Sequence, residues 1–73
     1  MAPDATRTGV EWITAFAARL GVEPPDDATV AILLDLAGVA AHASERTAAP
    51  IACWLAGSTG LTPADAVEVA RSV

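Results

Sequence analysis

Asp35, Gly38 and His42 are the residues of this 73-residue chain best placed to do chemistry. They occur at i, i+3 and i+7 within Ala28–Ser44 (ATVAILLDLAGVAAHAS), a segment whose apolar spacing is helical. At 100° per residue Ala31, Asp35, Gly38 and His42 share one narrow stripe, which Glu45 continues if the helix runs on. The rest of that helix is apolar nearly all round, as in helices that lie at the centre of a domain. A carboxylate and an imidazole seven residues apart are separated by roughly 10 Å along a helix, too far for a direct hydrogen bond. Gly38 between them leaves a notch. The stripe is either a small site, with Asp35 and His42 clamping a partner's side chain in the notch, or a satisfied polar seam. In the seam, Trp12 or Trp54 would fill the gap and His42 would bond a backbone carbonyl.

Glu45, Arg46 and Pro50 extend this region to the corner between the second and third helices. Arg46 has two readings. It can bond the exposed carbonyls ending helix 2 and pair with Glu45 or Asp35, or it can grip a carboxylate or phosphate with its planar fork. Asp35, Gly38, His42, Glu45, Arg46 and Pro50 therefore form the candidate interaction site. Catalytic signatures are missing: there is no Gly-rich phosphate loop, no second His or Cys for zinc, and no nucleophile–base–acid set. The expectation is a non-enzyme with no catalytic, cofactor-binding or metal-binding residues and no cofactor.

Composition bounds the partners. Four arginines, no lysine and nine acids give a net charge of −5, which disfavours nucleic acid and an anionic membrane surface as ligands. No stretch is long and apolar enough to span a bilayer, and Met1–Gly9 lacks the apolar run of a signal peptide. Cys53 is the single cysteine and reads as a small core residue, so a reducing, cytoplasmic setting is expected. Eighteen alanines favour helix but bury little area each, so a partner or self-association is expected to supplement the core.

The elements that position the stripe follow from punctuation. Residues 1–7 read as a flexible tail and 8–73 as one helical domain. Thr8 and Glu11 match a capping box, opening a helix over about 9–20 that Gly21 ends. Glu23-Pro24-Pro25 is a stiff linker, and Asp26 or Asp27 caps a second helix over about 27–45. Thr47 is the expected cap of a third helix over 48–57, and Thr62-Pro63 starts a fourth over 63–72. The pattern predicts an all-α, compact four-helix domain with helices 2 and 3 central and helices 1 and 4 flanking them. Trp12, Phe16 and Trp54 are assigned to the core, as are Ala66, Val67, Ala70 and Val73; an exposed tryptophan would instead mark an interface anchor.

The segment LLDLAGVAAHASERTAAPIACWLAG resembles a small bacterial domain of unknown function, found alone or appended to the molybdenum cofactor guanylyltransferase. The elements that carry the likeness are Leu34-Asp35-Leu36-Ala37, Ala41-His42, Arg46, Ala48-Ala49-Pro50, the apolar run Ile51 to Gly57, and the leading Trp12-Ile13. The resemblance implies an accessory or protein-binding role, linked by association to molybdopterin guanine dinucleotide formation. It makes Asp35, His42, Arg46 and Pro50 the positions to test first. Three roles follow as expectations: docking on a partner protein such as that guanylyltransferase, self-association, or binding of a small anionic ligand beside Arg46 and His42.

Overall fold

A computed structural model of the chain describes residues 7–73, so the expected tail at 1–7 falls outside the description except for Arg7. Four helices follow one another: α1 (Gly9–Leu20), α2 (Asp27–Ala43), α3 (Ala48–Thr59) and α4 (Pro63–Arg71). The described residues contain no strand. The all-α class and the four helices are as the sequence predicts.

The helix starts are set by short-range hydrogen bonds. Thr8 Oγ1 accepts from the Glu11 N–H at 3.1 Å and Glu11 Oε1 accepts from the Thr8 N–H at 2.9 Å, closing the capping box. These bonds, the Thr8 backbone N–H first and its hydroxyl second, hold the Glu11 carboxyl below the ordinary carboxylate range. Asp26 Oδ1 accepts from the Thr29 N–H at 2.8 Å, and bonding from Thr29 likewise lowers its carboxyl. Thr62 Oγ1 accepts from the Asp65 N–H at 3.2 Å, with Pro63 in the first turn where its missing N–H has no helical partner to lose. Gly21, at φ 75°, turns α1 off, with its own N–H and that of Val22 reaching the carbonyls of Ala18 and Ala17.

Three boundaries depart from expectation. Helix α2 ends at Ala43 rather than near residue 45, because the Ser44 hydroxyl donates to the Ala40 carbonyl at 2.8 Å and its backbone leaves the helical region. Thr47 does not cap α3: its backbone is already helical and its hydroxyl donates to Glu45 Oε2 at 3.4 Å. Helix α3 runs two residues past Gly57, since the hydroxyls of Ser58 and Thr59 donate to the carbonyls of Leu55 and Ala56 before Gly60 ends it at φ 80°.

Helix α2 is the hub, packing against both α3 and α4, while α3 and α4 touch each other lightly. Leu36 of α2, 3% exposed, sits at the centre against Ala66 and Val67 of α4. Ile32, Cys53, Ala56 and Ala70 close around them, so Cys53 does belong to the core's edge. The alanines let the helices approach closely, and burying one leucine there is worth about 1.5–3 kcal/mol.

Helix α1 differs from the expected flanking element. Its backbone approaches none of the other three helices, and Ala17 is its single buried residue. Trp12 and Phe16, expected in the core, lie at the surface, as does Leu20. Trp12 and Phe16 stack on each other, ring centroids 5.1 Å apart, in place of packing beneath a neighbouring helix. Trp54 is also at the surface, 70% exposed, and so is Val73, two residues past the end of α4. The physical reason is supply: no helix stands opposite the apolar arc of α1, and α2 and α4 together cover only part of α3, which is apolar on every side.

Candidate functional site

The inward face of α2 is fixed by Leu36 and Ile32, and this places the polar stripe on the opposite face. Asp35 and His42 are exposed, and Gly38 between them is half-buried. A methyl carbon built on Gly38 meets no atom within 4 Å, so among the described residues neither tryptophan nor any other side chain fills the notch. Among the described residues no hydrogen bond involves the His42 ring, and the single ion pair is Arg71 with Glu68, at 4.0 Å on the surface of α4. Among the described residues, neither the filled gap nor the bonded imidazole of a satisfied seam is found.

The structure brings part of the sequence-derived set together. Asp35, Gly38 and His42 share α2's outward face, with His42 in the last turn, where the negative end of the helix dipole favours a cation. Glu45 and Arg46 lie beyond the helix end, on the connection to α3, so the stripe does not continue through Glu45 as a helical row. Both are exposed. Backbone N–H groups of Ala48 and Ala49 donate to the carbonyls of Glu45 and Arg46, which fixes the corner's backbone rather than its side chains. Pro50, exposed, is the third residue of α3 and has no N–H to compete with those bonds.

Leu34 is not among the six residues of the sequence-derived candidate site. It lies one helical step from Gly38 and is 67% exposed, an apolar side chain beside the open notch. Its signal was present in the wheel. With Leu36 pointing inward, a residue two positions away is turned by 200° and must face outward. The α2 surface thus combines one large apolar side chain, a gap, a carboxylate and an imidazole. It offers contact and hydrogen bonding, and it assembles no nucleophile with a base. Among the described residues, no three His, Cys, Asp or Glu side chains gather to hold a metal.

Further large apolar side chains are exposed on the other elements. Ile51, Trp54 and Leu55 of α3 and Leu61 of the α3–α4 connection are exposed, in addition to the aromatic pair on α1. A concavity of about 550 Å³ at the helix 2–3 corner runs from Ser44 and Glu45 to Ile51 and Leu55. No helix is long and apolar enough to cross a membrane.

No curated protein and no solved structure matches the chain. A family profile does match, over residues 4–73, and with nearly the whole length covered the chain belongs to the family described as "Domain of unknown function (DUF6457)".

Proposed function

We propose that this protein is a non-catalytic, cytoplasmic accessory module that docks on a partner protein through the outward face of α2 and the helix 2–3 corner. The observation that carries the reading is the open notch at Gly38, flanked by exposed Leu34, Asp35 and His42. An apolar anchor beside polar groups that can fix orientation is the composition of a binding patch, and such anchors supply most of an interface's energy. The partner we propose is the molybdenum cofactor guanylyltransferase, on the strength of the resemblance carried by the Leu34–Gly57 segment. Glu45, Arg46 and Pro50 border the same surface and extend it towards α3.

Calorimetric titration of the purified enzyme with the full chain tests this. Asp35→Ala and His42→Ala should each weaken binding at least about tenfold, a loss of ~1.4 kcal/mol, with the far-UV helical signal unchanged. Gly38→Ala separates binding from folding. It should raise stability by about 0.5–1 kcal/mol, because alanine is the better helix former and its methyl meets nothing. The same methyl should weaken binding by occupying the notch. No binding by the parent, or equal binding by all variants, would overturn the proposal.

A further inference from the structure

The accessible surface of the chain is 5751 Å². Even if residues 1–6 are granted the full area of an unfolded stretch, about 850 Å², residues 7–73 expose about 950 Å² more than the roughly 4,000 Å² of a folded chain of their mass. Each partner in a standard-size interface contributes about 800 Å². The surplus is the size of one partner's share of such an interface, and two apolar features contribute to it.

One is the outer face of α1, where Trp12, Phe16 and Leu20 have no helix against them. The other is a groove of about 270 Å³ between α3 and α4, floored by Leu36 and walled by Leu55, Leu61, Val69 and Val73. Its lining is apolar except for Thr59. The groove is the kind of seat an aromatic helix face needs, and α1 is a helix face without a seat. Between α1 and the body runs Glu23-Pro24-Pro25, whose prolines stiffen the connection and disfavour a tight turn back.

We propose that α1 is an exchanged arm: in a two-fold dimer, the Trp12, Phe16 and Leu20 face of each copy seats in the α3–α4 groove of the other. Charge favours a second copy as the occupant despite the net −5 of each chain. Arg7 and Arg19 flank the stacked pair Trp12 and Phe16 and line the same notch on α1. On the side of the seat, Asp65 stands one helical turn before Val69 on α4 and is exposed. The arm's arginines would thus approach Asp65 in both halves of the dimer. The reciprocal exchange covers both unpartnered surfaces at once and closes, whereas a one-way contact would propagate into a filament. This surface is separate from the outward face of α2, so either proposal can fail alone.

Sedimentation equilibrium of the full chain from about 1 to 500 µM, without any other protein, tests the arm. The parent should dimerise within that range. Phe16→Asp on the arm and Val69→Asp in the groove should each raise the dimer dissociation constant at least tenfold, with helical signal retained. Mixing the two variants should restore dimers above the level of either alone, because one intact arm then meets one intact groove. Arg19→Glu, at an exposed position, should weaken the dimer without touching the fold and keeps the test valid if an aspartate variant unfolds. A parent that stays monomeric throughout overturns the proposal. So does a dimer weakened by Phe16→Asp and indifferent to Val69→Asp, which would mean α1 pairing with α1, and so does a dimer indifferent to both.

Discussion

Leu36→Ala should lower the stability of the domain by about 2–5 kcal/mol, the range for deleting a buried leucine side chain and leaving a cavity. Leu36 is 3% exposed and is the largest side chain in a centre otherwise built from Ala66 and Val67. A chain of this length has a total stability of about 4–11 kcal/mol, so the loss removes a large share of it. For a domain of this size the melting temperature should fall by at least about 10 °C. Leu34→Ala is the matched comparison, the same chemical change two residues earlier on the exposed face of α2. It should cost well under 1 kcal/mol, since surface changes away from special features are nearly neutral. Thermal melts followed by circular dichroism check both. Equal losses at the two positions would mean that α2 has no fixed inward face.

Val67→Asp should be the most damaging single change on α4, with a pH dependence opposite to that of the parent. Val67 is buried against Leu36, and no cation lies in that cluster to pair with a carboxylate. Burial without a partner disfavours the charged form, so the introduced carboxyl would have a raised native value. Its penalty is then fully present above that raised value, at neutral pH, and shrinks as pH falls toward the ordinary carboxylate range. The parent behaves the other way. Glu11 and Asp26 are held low by their capping bonds, so their contribution is present above the ordinary range and is lost as pH falls through their depressed native values. Melts between about pH 7 and pH 4 should therefore show the variant's deficit narrowing while the parent itself weakens only at the acid end. A deficit that does not change with pH would mean that residue 67 is not buried.

The parts of this fold that were legible in the sequence are those decided within four residues. Thr8 with Glu11, Gly21, Asp26, and Thr62 with Pro63 each act on their own helix end, and each is found in its expected role. Thr47 shows the limit of the same rule. A threonine before an alanine run has the composition of a cap, but the corner backbone is already helical there and Glu45 takes the hydroxyl. Burial was less legible because it depends on what the rest of the chain can place opposite a given face. The arc Trp12, Phe16, Leu20 has core spacing, yet no helix stands against it. Trp54 lies on a helix that is apolar all round, in a fold able to cover only part of it. The stripe of Asp35, Gly38 and His42 could be drawn from the wheel. Its outward direction and its open notch, together with Leu34 beside it, depended on knowing that Leu36 points in.

The outward face of α2 as a docking surface is tested most directly by amide nuclear magnetic resonance of the labelled full chain, titrated with the purified guanylyltransferase. The account predicts that the amides of Leu34, Asp35, Gly38 and His42 shift or broaden first, while those of Leu36, Ala66 and Val67 do so last. Unchanged amides along that face at saturation, with the response elsewhere or absent, would contradict it.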